Sequence, residues 1–420
     1  MLRIARWVCA VVLVLGFVGA GAPPAISAGE PVPHDNVMIS TNADFTTANG
    51  VRGGDGSKAK PYDISGWQIR NLTIQNTDKW VRIHDNAITG QLVLDWIGSR
   101  LSMQRNVVND MRVNRNVERT GMPTSGAITD NQFRVVGQLR HFDGVFARNV
   151  VGTQNDLGAR AVNFDGFNGA RFVRNTIYGF MDARLHGHHH SSGWGEPTHN
   201  HRAETPADEA SVHRYRYHEV TIADNTIKTT NGYGLAYLDT NHSGNDRTAP
   251  SEQDTNLNKP HVHFTKVHLL RNRLTGGGIL VNVFQAKDNL HPWFVRGFLD
   301  IVDNRISLDE DRFFFNRNGI ELDQAQAMTL RISGNAVTGW WPAADDPMAF
   351  FEAFDDHAGV FLNTLDDASV QIVHNSVANR MSGVRATQMT RTVHWTVRDL
   401  KTSGVERPVS YDDSVANKPE

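Results

Sequence analysis

Cysteine is all but missing from this chain. The only one, Cys9, lies near the start of an apolar N-terminal stretch, too early in it to mark a lipoprotein cleavage site. A mature chain without it has no disulfide or thiolate chemistry. Excess charge is missing too: the formal net charge is −3, so no basic field favours nucleic acid or an anionic membrane. No run after the N-terminal stretch is long and apolar enough to span a bilayer.

The N-terminal stretch has the build of a secretory signal peptide. Arg3 and Arg6 form a basic start, Trp7 to Val18 an apolar core too short for a membrane span, and small residues lead to Ala25-Ile26-Ser27-Ala28. Cleavage is placed after Ala28; a cut after Ala22 would leave Pro23 at the new N-terminus. The expectation is a secreted protein, extracellular or in the cell envelope. Without disulfides it must hold itself together by a large packed core, which about 390 mature residues can supply. Histidine is abundant, 19 residues unevenly spread.

A short phrase recurs along the chain: apolar residues at alternating positions, a polar residue, Asn, any residue, then a β-branched or apolar one. It reads Ile83-His84-Asp85-Asn86-Ala87-Ile88 and Met103-Gln104-Arg105-Asn106-Val107-Val108. It returns around Asn131, Asn149, Asn175, Asn225, Asn272, Asn304, Asn335 and Asn375. Alternating hydrophobicity on both sides of a polar bend predicts two short strands around a tight turn. In the first half, successive Asn residues lie roughly 18 to 26 positions apart, near the length of one solenoid coil. One coil cannot bury its own apolar face, so coils must stack. Asn suits the bend because it tolerates left-handed geometry and can hydrogen-bond up a stack. A β-sandwich would instead show Asn-Gly or Asp-Gly hairpins, and here β-formers mostly follow Asn.

These phrases resemble the coil repeats of the right-handed parallel β-helix superfamily, the pectate-lyase-like group of secreted proteins, over about residues 65 to 395. The segment from Gly53-Gly54-Asp55-Gly56-Ser57 to Gly66-Trp67 is similar to the opening region of many of its members. The resemblance implies an all-β, right-handed parallel β-helix solenoid with long inserted loops on one edge. The expected division is a signal peptide over 1–28, an N-terminal cap over 29–70, the β-helix over 71–400 and a C-terminal tail over 401–420. The superfold hosts many activities, so the chemistry must come from the site.

A second phrase follows many repeats: Gly, alternating apolar residues, then an acid or amide. Gly234 to Asp239, Gly278 to Asn282, Gly319 to Asp323 and Gly359 to Asn363 fit it, and Gly179 to Asp182 fits loosely. On successive coils these would make a row of Asp182, Asp239, Asn282, Asp323 and Asn363. Coils about 4.8 Å apart would bring carboxylates to the spacings of retaining or inverting glycosidase pairs. The plain counter-reading is that Asp and Asn end strands because they make turns. Candidate catalytic residues are Asp182, Asp239, Asp323 and His242.

The long segments after those strands hold most of the histidines. His186, His188 and His190 recur two apart, as do His199 with His201 and His261 with His263. In extended backbone such pairs face one way, so each could offer two imidazoles to a metal. Zinc or copper suits imidazole better than calcium does. The counter-reading is a solvated His-rich loop. Trp194, Trp293, Trp340 and Trp341 fall in inserted segments, where a sugar ring could stack.

Known active-site patterns of the fold are incomplete here. His186-Gly187-His188 and Asp366-Asp367 only echo the polygalacturonase set, and the Trp-x-Asp-His signature of pectate lyases is absent. Asn318-Gly319-Ile320-Glu321 resembles the Asn-Gly-x-Glu phrase of alginate and chondroitin lyases with this fold. The leading expectation is a secreted carbohydrate-active enzyme acting on an extended polysaccharide, by metal-assisted lyase chemistry or by hydrolysis. The alternative is a non-enzymatic exported metal-binding or glycan-binding β-helix.

Overall fold

The computed structural model describes residues 30–97, 101–114, 126–166, 169–185, 218–240, 262–284, 294–308, 318–326, 328–339 and 357–419. The chain winds as a parallel β-helix solenoid. Each complete coil runs through three faces. A short strand such as Thr226–Lys228 forms face one, a longer strand such as Tyr233–Thr240 forms face two, and a third such as Val262–Leu270 forms face three. Every described pairing along these faces is parallel, for example Thr226–Lys228 on Arg273–Thr275 and Val262–Leu270 on Phe294–Val302. The described exception is Val51–Gly53, which runs antiparallel to Tyr62–Ser65 at the N-terminal end.

The core is the inside of the tube. Alternate side chains point inward, so Ile279, Val281, Ile320, Leu322, Val360 and Leu362 stack in columns that exclude water. Aromatic rings do the same in earlier coils, where Phe146 and Phe172 stack at 4.6 Å between centroids.

The repeated Asn sits at the bend from face three to face one, and it points inward. All ten, from Asn86 to Asn375, are at most 2 % exposed. A buried amide is costly unless its hydrogen bonds are met, and the stack meets them. Asn175 donates from its backbone N and from Nδ2 to Asn225 Oδ1, at 2.9 and 3.0 Å. Asn225 donates in the same way to Asn272 Oδ1, and its Nδ2 also reaches the Phe172 carbonyl at 3.0 Å. The sequence suggested that Asn itself takes the left-handed conformation; the structure gives that role to the residue before it. Asp85, Arg105, Asp130, Arg148, Arg174, Asp224 and Arg271 all have φ between 53° and 60°. The reason is the inward turn: Asn must face the core, so the exposed neighbour takes the sharp bend. Those neighbours pair across coils, as in Arg105 with Asp85, Arg148 with Asp130 and Arg271 with Asp224.

Strands at both ends pair with the solenoid. Within the expected N-terminal cap, Val32–Pro33 and Val37–Ile39 already pair in parallel with Trp67–Ile69 and Leu72–Thr77, and Tyr62–Ser65 pairs in parallel with Val81–His84 and starts the first complete coil. Two short 3-10 turns, Asn42–Asp44 and Thr47–Asn49, lie beside it, and Phe45 stacks on Tyr62 at 4.1 Å. Within the expected C-terminal tail, Lys401–Tyr411 is a strand paired along Ser376–Met389. The last residues then fold over the open end: Val415 joins the core and the Asn417 carbonyl accepts from Trp395 Nε1 at 2.8 Å. Among the described residues no helix is long and apolar enough to cross a membrane.

Replacing Asn225 with Ala strands two buried donors of Asn175 and opens a cavity. The expected cost is about 3–5 kcal/mol of unfolding free energy, read from urea denaturation. A loss below about 1 kcal/mol would mean that the ladder is ornament on a core that holds itself.

Candidate active site

The outer surface of face two carries the polar groups that the core does not need. In its later strands the phase is set by a column of glycines, Gly234, Gly278, Gly319, Gly359 and Gly383. A Cβ on Gly319 would lie 2.7 Å from the Gly359 carbonyl oxygen, and one on Gly359 would lie 2.8 Å from that of Gly383. Only glycine permits that approach. Counting from each glycine, the first and third residues point in and the second and fourth point out. The second positions, Leu280, Glu321 and Phe361, lie opposite one another. The fourth positions are Asn282, Asp323 and Asn363.

Three of the five residues expected in a row therefore meet. Asn282 Nδ2 donates to Asp323 Oδ2 at 2.8 Å, and Asn363 Nδ2 donates to Asp323 Oδ1 at 2.9 Å. Thr387 Oγ1 donates to Asn363 Oδ1 at 2.9 Å on the next coil. Asp182 and Asp239 do not join them. Asp182 lies opposite Ala236, three coils from Glu321 in the same row, and pairs with Arg160 at 3.2 Å. Asp239 lies opposite Val283, while Leu238 holds the place opposite Asn282. The causes differ. Asp323 and its partners stand four residues after their glycine; Asp239 stands five after Gly234, and an odd offset breaks a period of two. Asp182 points outward, but Phe180 rather than Gly179 is level with Gly234, so Asp182 falls in the row of Glu321, one outward position short of Asp323.

The strand is distorted at this point. Register slips between Val281 and Asn282, so Asp323 is an extra residue in its strand, a β-bulge. On the next coil Thr364 has φ 53°, and on the one after it Gln388 has φ 50°. A β-branched residue in the left-handed region is strained by about 1–3 kcal/mol, a cost that clusters at functional sites.

Glu321, two residues before Asp323, is the carboxyl that sequence reasoning passed over as a site residue. It points outward and is yet only 4 % exposed. Tyr233 Oη donates to its Oε2 at 2.7 Å, from two coils away and across the coil of Gly278. Asn318 Nδ2 donates to the same oxygen at 2.9 Å, its own Oδ1 held by the Ala358 N–H at 2.9 Å. Burial pushes the Glu321 carboxyl above the ordinary range. The Asn318 and Tyr233 bonds oppose that rise, and the charge of Asp323 adds to it. Two donors converging on Oε2 favour Oε1 as the oxygen that carries the proton. Two signals were available: the Asn-Gly-x-Glu phrase itself, whose Asn318 and Glu321 are hydrogen-bonded, and the column that reads Ala236, Leu280, Glu321, Phe361, where a carboxyl stands among apolar neighbours.

The expected metal ligands His186, His188, His190, His199, His201 and His261, with His242 and the four tryptophans, lie outside the described residues. His263 and Asp239 lie on described strands, with side chains outside the description. Among the described residues no three His, Cys, Asp or Glu side chains are arranged to hold a metal. Insertions 186–217, 241–261 and 285–293 follow face-two strands, and 309–317 and 340–356 precede two others. The chain matches no family model, no curated protein and no solved structure.

Glu321 gives a pH signature. Its folded-state carboxyl titrates above the unfolded one, so the stability it contributes is complete below the unfolded value and lost as pH rises through the folded value. Glu321→Gln keeps an oxygen for both donors and has no charge to bury. Its melting temperature should gain on the parent protein as pH is raised from about 4 to about 9, followed by differential scanning fluorimetry. A difference that stays flat with pH would mean that Glu321 titrates as a solvent-exposed acid.

Proposed function

We propose that this is an exported carbohydrate-active enzyme of the pectate-lyase-like β-helix group, hydrolysing an extended polysaccharide laid across face two. One observation carries the reading: two carboxyls on one outer strand stand in opposite surroundings. Glu321 is buried among apolar neighbours, with its carboxyl raised. Asp323 accepts an amide hydrogen bond on each oxygen. A buried carboxyl beside a hydrogen-bonded, less buried one fits an acid and its partner base.

In this reading Glu321 protonates the glycosidic oxygen as the bond breaks. Asp323 takes the proton of the attacking water, because a carboxylate that holds two amide donors still has lone pairs to accept a third. The base role given to Asp323 makes the pair an inverting one, with a water between base and sugar. Tyr233 and Asn318 position Glu321, and Asn282 and Asn363 position Asp323. The histidine-rich insertions would add zinc or copper only as an accessory to this pair. The superfamily assignment rests on the repeat phrases and the solenoid, and export on the N-terminal segment.

The test is reducing-end release from a polysaccharide panel by the mature protein. Glu321→Gln and Asp323→Asn should each lower the rate by about 10²–10⁴-fold without unfolding the chain. Activity should fall as pH rises through the raised value of Glu321, since the acid must enter protonated. Full activity in Glu321→Gln would overturn the assignment. The second reading is a non-enzymatic glycan-binding β-helix, favoured by one fact: the Asp323 ladder is satisfied on both carboxylate oxygens by its own neighbours. Binding without cleavage across the panel would select it.

A further inference from the structure

The ladder through Asp323 has a direction, and the direction leaves one end open. An ionised carboxylate only accepts, so the group that each neighbouring amide turns toward it must be Nδ2. Both oxygens of the amides then face away. At Asn363 that oxygen meets hydroxyls, Thr387 Oγ1 at 2.9 Å and Thr364 Oγ1 at 3.2 Å. At Asn282 it meets nothing: Oδ1 is sheltered from water and has no donor. The ladder is closed at one end and lacks a donor at the other.

The surroundings add a sign. Among the described residues, the outward positions next to Asp323 are apolar or neutral, namely Leu280, Phe361, Asn282 and Asn363, and the other charge-bearing group is the acid Glu321. In the row of Glu321 the first cation among the described residues is Arg385, two coils further on. A sugar carboxylate at this point would face Asp323 with like charge and would bring Asn282 a second acceptor. A sugar hydroxyl brings the missing donor, and the C–H face of its ring can pack on Leu280 or Phe361.

We infer that the sugar unit held over Glu321 and Asp323 is uncharged, a neutral hexose or pentose rather than a uronate, and that Asn282 selects it by accepting one of its hydroxyls. This rests on reading Glu321 and Asp323 as the reacting pair. A unit lacking that hydroxyl, or carrying a carboxylate there, leaves a buried acceptor unmet, and sites built this way discriminate strongly.

The experiment is isothermal titration of the Glu321→Gln protein, which binds without turnover, in the presence of EDTA. The probes are neutral hexasaccharides (gluco-, manno-, galacto- and xylo-configured) and oligogalacturonate and oligomannuronate of the same length. A neutral oligosaccharide should bind at least about tenfold more tightly than either uronate. Adding Asn282→Ala should then weaken it about tenfold. Adding Asn363→Ala, which takes the other amide from Asp323 but no outward acceptor, should weaken it less than about threefold. Asn282→Ser replaces the alanine variant if the latter melts early.

Tighter binding of a uronate, with cleavage of it by the parent protein, overturns the inference and leaves the acid pair standing. Equal losses in the two asparagine variants overturn it as well, since Asn282 would then act only through Asp323. Binding that needs a metal restored also overturns it. No binding by any probe removes both the inference and the reading beneath it.

Discussion

Everything in this molecule depends on one buried hydrogen bond, repeated: an inward-facing asparagine amide closing on the asparagine of the next coil. A tube of parallel strands needs its bends to coincide, or the inward columns fall out of phase. Here the bend is fixed by a group that cannot be left unpaired. Asn175 and Asn225 are 50 residues apart in sequence, yet the amide contact between them is as short as that between Asn131 and Asn149, 18 apart. The closure is indifferent to what the chain does between two rungs. That is why segments of 30 or so residues can be inserted after face-two strands: each leaves and returns to a coil whose phase is already set.

The same constraint divides labour around the bend. Asparagine turns inward, and its exposed predecessor absorbs the left-handed backbone. That exposed position tolerates Asp, Arg, Gly or His, so it can be filled with alternating charge that pairs from coil to coil. Surface pairs of this kind contribute little singly. Over Asp85 to Arg148, where the signs alternate, they also disfavour a slip of one coil, which would set Arg against Arg. The buried amides supply the energy and the exposed charges discourage mispairing.

The sequence made the periodic part legible. The Asn phrase is local and recurs, and the Gly phrase marks the outward row with a fixed offset, so the meeting of Asn282, Asp323 and Asn363 was readable. Asp239 entered the same row because residue type was weighed over parity, and its odd spacing from Gly234 was there to exclude it. Asp182 entered because Gly179 reads as one of the glycine column, whereas Phe180 holds that place. Glu321 was harder. Its burial rests on Tyr233, 88 residues earlier, and nothing near Glu321 announces a phenol arriving from two coils away. The C-terminal segment is legible only in part: a mostly polar stretch with Pro408 reads as tail, but an edge strand has no second neighbour and can carry many polar residues. There Val405 and Val409 pack on the core and Val415 joins it.

Carboxyl groups show how one architecture produces opposite chemistry from the same side chain. At the bend, Asp85, Asp130 and Asp224 each take hydrogen bonds from an arginine of the next coil, which hold their carboxyls below the ordinary range against a smaller rise from burial. The stability they contribute is present above the unfolded value and lost as pH falls through the folded one. On face two, Glu321 is raised by burial, and its contribution is lost as pH rises. The difference lies in what the coil geometry brings alongside. At the bend the next coil supplies a cation in the open; on face two it supplies Phe361, and the coil before supplies Leu280. Because the bend ladder and the face-two site sit on different faces of each coil, the residues that hold the tube at low pH are not those that set the acid. A chain built this way can change its reactive carboxyl without disturbing the ladder that positions it.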